Sequence, residues 1–317
     1  MILSVSRRTD IPNYYSDWFY ERVKAGYLYV RNPFNYHQVS RIDITPEVVD
    51  CIVFWSKNPR NMIERLNELD QYQYYIQFTL TGYGIDIEPN LPSKRDVLIP
   101  TFQELSERIG KEKMIWRYDP ILINNRYTPE YHRKAFQEIA KSLNGHTQKV
   151  VISFIDFYAK TRKNMQTLEI AEIDDQVKRS LARSLSGIAK ENGITIESCA
   201  EQMDLTTAGI MHGSCIDRDM IERIVGYPIK SCKDRNQRVE CGCIESVDIG
   251  FYDTCLNGCK YCYANRNDRI VNVNAKKHNA DSPILCGEVT NEDSISTRKV
   301  ESIRMPSQQQ LCIFDKR

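Results

Sequence analysis

The stretch Cys51-Ile-Val-Phe-Trp-Ser-Lys-Asn-Pro59 shows the pattern that decides the fold. Five apolar residues suit a buried β-strand, and polar residues and a proline follow at once. The same pattern recurs at wide intervals along the chain. Buried strands are predicted at residues 2–5, 51–55, 74–80, 114–118, 150–155 and 194–196.

Helical patterns fill the gaps between these strands. Ser16 is expected to cap a helix that ends near Gly26, and Thr128-Pro129 opens another helix. A long amphipathic helix is predicted over residues 174–192, ended by Gly193. Alternation of strands and helices predicts an α/β fold with a parallel sheet, either open or closed into a barrel.

Composition excludes some classes of protein. The 317 residues contain 43 Lys and Arg against 42 Asp and Glu, so the net charge does not indicate a protein that binds nucleic acid. This balance does not exclude a basic groove at one place on the surface. The first apolar run meets Arg7 and Arg8 at once and is too short for a signal peptide. No stretch approaches a membrane span. A cytoplasmic protein is predicted.

Cysteines are numerous and concentrated late in the chain. There are eleven, and eight of them fall between Cys232 and Cys312. In a reducing compartment, clustered cysteines indicate metal or catalysis more than disulfides. The predicted organisation is an α/β body over residues 1–198, a cysteine-rich segment over 199–264, and a C-terminal tail over 265–317 that packs on the body.

Nearly every predicted strand ends in charged or hydroxyl residues. In parallel α/β folds, active sites lie at the carboxyl ends of the strands. One such end could simply emerge into water, but six together predict a polar rim around a site. The candidate cofactor-binding residues on this rim are Arg8, Thr9, Asp10, Ser56, Lys57, Arg117 and Asp119.

A C-x3-C-x2-C motif supplies the strongest chemical signal. Cys255, Cys259 and Cys262 follow a seventh predicted strand, at residues 247–252, and Gly258 gives the loop freedom to wrap closely. Three thiolates can hold three irons of a four-iron cluster and leave the fourth iron open, whereas structural sites usually take four protein ligands. The alternatives are a zinc site completed by a fourth cysteine and a chance spacing in a cysteine-rich tail.

With an aromatic residue, Tyr261, before its last cysteine, this motif resembles the cluster loop of the radical S-adenosylmethionine (radical SAM) superfamily. The whole chain is also similar to an uncharacterised bacterial domain family with radical-SAM-like C-terminal cysteines. The stretches that carry this resemblance lie at residues 6–12, 30–33, 51–59, 116–120, 153–156, 241–243, 253–264 and 282–287.

The resemblance implies an enzyme, an oxidoreductase or a lyase. Its [4Fe-4S] cluster would bind S-adenosylmethionine at the open iron and cleave it reductively to a 5′-deoxyadenosyl radical. Cys255, Cys259 and Cys262 would be the iron ligands, and Tyr261 would lie beside the adenine. The implied partners are a one-electron reductant such as flavodoxin or ferredoxin and a small-molecule or nucleotide-like substrate.

The chain departs from the superfamily in the position of its motif. The motif normally follows the first strand of the barrel, and here it follows the last. A partial or circularly permuted (β/α) barrel of about six or seven strands is therefore expected, with the strand before Cys255 beside residues 2–5. No Gly-Gly-Glu segment follows that strand, so Asp10 or Thr9 is expected to hold the methionine amine. Arg117 or Arg8 would pair with its carboxylate.

A second set of cysteines predicts an auxiliary iron–sulfur cluster. Its ligands would be Cys199, Cys215, Cys241 and Cys243, with Cys232 as a substitute and zinc as the next choice of metal. Buried free thiols are the alternative.

Three cysteines are left without a metal role. Cys51 is expected in the core, and Cys286 and Cys312 have no partner spacing. Two other functions stay open at this stage: a metal-stapled module that binds nucleic acid or protein, and a barrel hydrolase with a structural cluster.

Overall fold

The computed structural model describes residues 1–156, 161, 164–171 and 173–306. An eight-stranded parallel sheet forms its centre and confirms the predicted α/β class. Its strands are β1 (Ile2–Val5), β4 (Cys51–Ser56), β5 (Tyr74–Thr79), β6 (Met114–Ile121), β7 (Lys149–Phe154), β8 (Thr195–Cys199), β9 (Met211–Gly213) and β10 (Val247–Asp248). A second, three-stranded sheet contains β2 (Tyr27–Arg31), β3 (Gln38–Asp43) and β11 (Ser294–Thr297).

The order in the large sheet is β10-β1-β4-β5-β6-β7-β8-β9. Strand β10 lies parallel to β1, with Leu3 opposite Val247, so the expected adjacency of these two strands is confirmed. Within the described ranges, β10 and β9 are open edges and no hydrogen bonds close the sheet into a barrel.

All six early strands form where they were predicted, but the seventh is shorter. Strand β10 stops at Asp248 because the Asp248 carboxylate accepts a hydrogen bond from the Gly250 amide at 2.9 Å, which turns the chain. Strand β9 was missed, because it has only three residues and all of them are at least partly exposed.

Most helices lie between strands of the large sheet, and the last one follows β10. The helices are α1 (Ile11–Tyr14), α2 (Ser16–Ala25), α3 (Ile99–Ile109), α4 (Pro129–Leu143), α5 (Asp175–Glu191), α6 (Arg218–Val225) and α7 (Asp268–Ala275), with a 3-10 helix at Pro59–Leu69. The Thr128 cap and the Gly26 terminus are as predicted. The prediction for Ser16 is wrong in detail: Tyr15 is the cap position, and Ser16 is the first helical residue.

The two faces of the sheet carry different cores. Along β4, Ile52 and Phe54 enter the larger core, which packs against helices α2 to α5. Cys51 and Val53 point to the other face, into a smaller core covered by α6 and by residues around Cys241 and Cys243. Cysteines of the predicted second set therefore lie on the face of the sheet opposite the long helices.

Part of the predicted tail is built into the fold. Strand β11 pairs in parallel with β3. The buried Asp50 carboxylate accepts hydrogen bonds from the Ile303 amide at 2.9 Å and from the Ser302 hydroxyl at 2.6 Å. Among the described residues, no helix has the length and apolar character needed to cross a membrane.

Candidate metal and cofactor site

A cavity of about 310 Å³ opens at the carboxyl ends of the parallel strands. All seven cysteines predicted as metal ligands line it: Cys199, Cys215, Cys241, Cys243, Cys255, Cys259 and Cys262. The eight residues predicted to bind the cofactor line the same cavity: Arg8, Thr9, Asp10, Ser56, Lys57, Arg117, Asp119 and Tyr261. The fold thus brings both sequence-derived sets to one place.

The three-cysteine loop is held in position by the first helix. Asn257, inside the loop, accepts hydrogen bonds from Asn13 Nδ2 at 3.2 Å and from the Tyr14 hydroxyl at 3.0 Å. The Tyr15 hydroxyl donates to the carbonyl of Thr254 at 2.6 Å. Residues next to the cysteines are therefore anchored, which leaves the thiols themselves facing the cavity.

Gly258 is required by the shape of this loop. Its φ is +69°, in the left-handed region that favours glycine. A Cβ atom there would also lie 3.0 Å from Pro89 and from Asn90, whose side chain donates to the carbonyl of Leu256. The loop therefore packs closely on the segment that follows β5.

Asp10 and Thr9, the two residues expected to bind the methionine amine, differ in the hydrogen bonds that they already make. The buried Asp10 carboxylate already accepts four: from Ser56 Oγ, from Asn257 Nδ2, and from the amides of Lys57 and Asn13. Its acceptor sites are fully used by the protein. Thr9 is only 4 % exposed, and its Oγ1 has no hydrogen-bond partner in the described structure. Thr9 is therefore the residue of the two that remains available to a ligand.

A buried cluster of charges lies beside the same loop. The Glu88 carboxylate, 1 % exposed, contacts the ammonium groups of Lys57 and Lys94 and the Tyr261 hydroxyl. Burial alone would raise the pKa of Glu88, but the two ammonium groups outweigh it and lower the pKa to about 2. Glu88 and Cys259 together favour the charged form of Lys57 and raise its pKa despite burial. A fixed positive charge thus stands next to Cys259.

Three arginines approach the cavity in different ways. Arg117 donates to the Cys215 sulfur at 2.6 Å and pairs with Asp119, so it faces the second cysteine set. Arg8 contacts Asp248 at 3.8 Å and donates weakly to a carbonyl at 3.5 Å. Arg7 has a buried Nη2 atom without a hydrogen-bond partner in the described structure. Arg7 Nη1 lies 4.0 Å from the Asp234 carboxylate, which leaves Nη2 to bind an anionic group.

The other cysteines do not join the site. Cys51 is buried in β4 and belongs to the smaller core, as predicted. Cys286 is buried and its thiol donates to the carbonyl of Asn274 at 3.3 Å. Cys232, the suggested substitute ligand, is exposed and does not line the cavity. Cys312 lies outside the described residues.

In the described part of the chain, no group of three or more His, Cys, Asp or Glu side chains is already set at metal-binding distances. Thiols that hydrogen-bond to each other stand closer than ligands of one ion. The Sγ atoms of Cys199 and Cys215 are 2.9 Å apart, whereas two thiolates on one tetrahedral zinc ion are separated by about 3.8 Å. Small rotations of the cysteine side chains would increase the distance between the sulfurs from 2.9 Å to about 3.8 Å.

Two residues of the site were missed in the sequence. Glu88 lies nine residues beyond the end of β5, too far along the chain to count as a strand-end residue. Asn257 lies between the first two cysteines of the motif and was read only as loop. Its position inside the motif was a usable signal, because a side chain there must touch whatever surrounds the cysteines.

Comparison with known proteins gives one match. A family model described as a domain of unknown function (DUF1848) matches residues 2–264. That range includes every strand of the large sheet and all seven cysteines that line the cavity. No curated protein matches the chain, and no solved structure does.

Proposed function

The chain belongs to the DUF1848 family, and for this member we propose the function of a radical SAM enzyme. When bound, a [4Fe-4S] cluster with one open iron and S-adenosylmethionine supply a 5′-deoxyadenosyl radical that takes hydrogen from a substrate. Cys255, Cys259 and Cys262 would hold the cluster. The observation that carries the proposal is that three thiols of one short loop open onto a cavity at the strand ends that charged and hydroxyl side chains also line.

The donor set fits such a cluster. Within the loop itself only three thiols are present, which suits an open iron better than a closed structural site. Lys57 offsets part of the negative charge that three thiolates bring into a buried region. Thr9 Oγ1 has no hydrogen-bond partner in the described structure and can donate or accept a hydrogen bond on the cavity wall. Arg7 Nη2 also has no hydrogen-bond partner there and places a cation on the same wall.

Strand order supports a circularly permuted, partial barrel as the framework. Strand β10 leads into the cysteine loop and lies parallel to β1. In this arrangement β10 takes the place of a first barrel strand, and the loop after β1 takes the place that usually binds the methionine amine. We assign that role to Thr9, and pairing with the carboxylate to Arg7.

Other side chains divide the remaining work. Tyr261 lines the cavity and is held by its hydrogen bond to Glu88, which gives one aromatic face for an adenine. The cationic rim suits an anionic, nucleotide-like or small-molecule substrate. A flavodoxin or ferredoxin in the cytoplasm would supply the electron.

Anaerobic reconstitution of the full chain tests the proposal. The expected results are bound iron and sulfide, a change in the electron paramagnetic resonance spectrum of the reduced protein on adding S-adenosylmethionine, and formation of 5′-deoxyadenosine. Iron-loaded protein that gives neither the spectral change nor the nucleoside would contradict it.

A pair of cysteine variants makes the test specific. Cys259→Ala should abolish both the spectral change and 5′-deoxyadenosine formation. Cys286→Ala removes a buried thiol that is not part of the cavity and should leave both intact. If the two variants behaved alike, the activity would not depend specifically on the thiols of the three-cysteine loop.

A further inference from the structure

Two chain segments that carry the second cysteine set pack backbone against backbone. The Ile216 amide donates to the Cys243 sulfur at 3.3 Å, and the Ile244 amide donates to the carbonyl of Ile216 at 3.1 Å. A Cβ atom on Gly242 would lie 2.4 Å from Ser214 Oγ, so any larger residue would require the Ser214 side chain to move. The segments are thus clamped together at the cysteines.

The four thiols form a closed ring of contacts. The sulfurs of Cys199 and Cys215 are 2.9 Å apart. Side-chain hydrogen bonds also join Cys215 to Cys243, and Cys241 to both Cys199 and Cys243. Each thiol therefore touches two others, although they come from the end of β8, from the loop after β9 and from the loop before β10.

The distance between the cysteine sulfurs distinguishes two kinds of thiolate metal site. A single tetrahedral ion holds its four sulfurs about 2.3 Å from one centre, hence about 3.8 Å from each other. A four-iron cluster binds each thiolate to a different iron, so its four sulfurs stand further apart. We propose that Cys199, Cys215, Cys241 and Cys243 bind one tetrahedral metal ion that favours thiolates, either zinc or iron.

Positively charged side chains lie beside the ring. Arg117, only 7 % exposed, donates to the Cys215 sulfur at 2.6 Å and also pairs with Asp119. Arg7 interacts electrostatically with Cys215 and Cys243. Four thiolates around a divalent ion carry two net negative charges, and two buried guanidinium groups reduce the cost of keeping them out of water.

The location gives the ion a role. The four cysteines line the same cavity as the three-cysteine loop, and the ring ties β8, β9 and the segment before β10 together. A four-thiolate site has no open position and acts as a structural staple. The ion would thereby fix one wall of the cavity, including Arg117, independently of the reaction proposed for the other cysteines.

Metal analysis of a full-length variant without the catalytic loop thiols tests this proposal. In Cys255→Ala/Cys259→Ala/Cys262→Ala, purified anaerobically, we expect about one zinc or iron per chain and no acid-labile sulfide. Protein without metal would overturn the proposal. About four irons with sulfide would also overturn it, because they would indicate the auxiliary iron–sulfur cluster predicted from the sequence.

Two further variants in the same background identify the ligands. Cys241→Ser/Cys243→Ser should lose the ion, and Cys51→Ser, a buried thiol outside the ring, should keep it. If the triple variant does not fold, Cys241→Ser/Cys243→Ser in the otherwise natural chain replaces it. Its zinc and iron content should then fall by about one ion while the loop iron remains, and unchanged metal content would overturn the assignment.

Discussion

Asp10 and Asn257 are joined by a hydrogen bond of 2.9 Å from the Asn257 side-chain amide to the Asp10 carboxylate, across 247 positions of sequence. Asp10 ends the loop after β1 and caps α1, and Asn257 lies inside the three-cysteine motif. The contact is buried, and Asp10 also accepts from Ser56 at 2.6 Å. One carboxylate therefore fixes the cysteine loop to two neighbouring strand ends.

Removal of this carboxylate should destabilise the protein. Asp10→Ala leaves buried donors of Asn257, Ser56 and the Lys57 amide without an acceptor. We expect the free energy of unfolding in urea to fall by about 3 kcal/mol or more. Iron retention by the three-cysteine loop should fall as well, since Asn257 loses an anchor.

Asp17→Ala is the matched control for Asp10→Ala. Asp17 is exposed and pairs with Arg65 on the surface, an interaction worth about 1 kcal/mol or less. Similar losses of stability in the two variants would mean that the Asp10 network contributes no more than a surface ion pair.

Thr9 offers a test of ligand binding that spares the fold. Thr9→Val keeps the shape and removes an Oγ1 atom that has no partner in the described structure. We expect weaker binding of S-adenosylmethionine by about tenfold, measured by equilibrium binding to reconstituted protein, with an unchanged melting temperature. Thr9→Ser keeps the hydroxyl and should bind like the natural chain. If Thr9→Val bound S-adenosylmethionine as tightly as the natural chain, Thr9 would not be one of the residues that bind it.

The Glu88 cluster predicts a loss of stability in acid. Burial opposes ionisation of Glu88, but Lys57 and Lys94 lower its pKa from 4.5 to about 2 in the folded protein. The unfolded chain therefore takes up the proton first, and this stabilisation is present above pH 4.5 and lost as the pH falls towards 2. The loss amounts to about 3 kcal/mol.

Urea unfolding between pH 5 and pH 2 measures this effect. Glu88→Gln should flatten the fall in stability over that range relative to the natural chain. Glu104→Gln changes an exposed carboxylate and should leave the slope as it is. Parallel curves for the natural chain and Glu88→Gln would contradict the assignment.

Glu201 predicts the opposite dependence on pH. Burial raises its pKa from 4.5 to about 7, and the nearby charge of Asp156 adds to the shift. Its contribution is therefore present below pH 4.5 and lost as the pH rises through 7. Glu201→Gln keeps an acceptor for the Phe154 amide, which now donates to the carboxylate at 3.1 Å. The variant should be about 1–3 kcal/mol more stable than the natural chain at pH 8.5 and similar at pH 5. An equal effect at both values would contradict this.

Patterns of buried strands were sufficient to predict the body of the fold. The six early strands could be found because parallel strands buried on both faces read as continuous apolar runs, as in Cys51-Ile-Val-Phe-Trp55. Strand β3 was missed because Ser40 and Arg41 interrupt its apolar residues. Strand β2 has an apolar run of four residues, Tyr27-Leu-Tyr-Val30, that was not recognised as a strand.

The sequence predicted which residues belong to the candidate site, but not their hydrogen bonds or the distances between them. Cysteine spacing and polar strand ends selected residues that the fold brings to one cavity. The sequence could not show that the Asp10 carboxylate is saturated while Thr9 Oγ1 has no partner, because both depend on donors from distant segments. It also could not show the spacing of the four thiols, which come from three segments far apart in sequence.

Pairing of β1 with β10 has a consequence for biosynthesis. Strand β1 is made before the other strands of its sheet, whereas its edge partner β10 and the Asn257 anchor are made about 240 residues later. Until then, β1 must wait beside β4 with one side uncovered, open to pairing with other strands. The three-cysteine loop is made only after that delay, so the proposed cluster would bind a chain whose large sheet has already been synthesised.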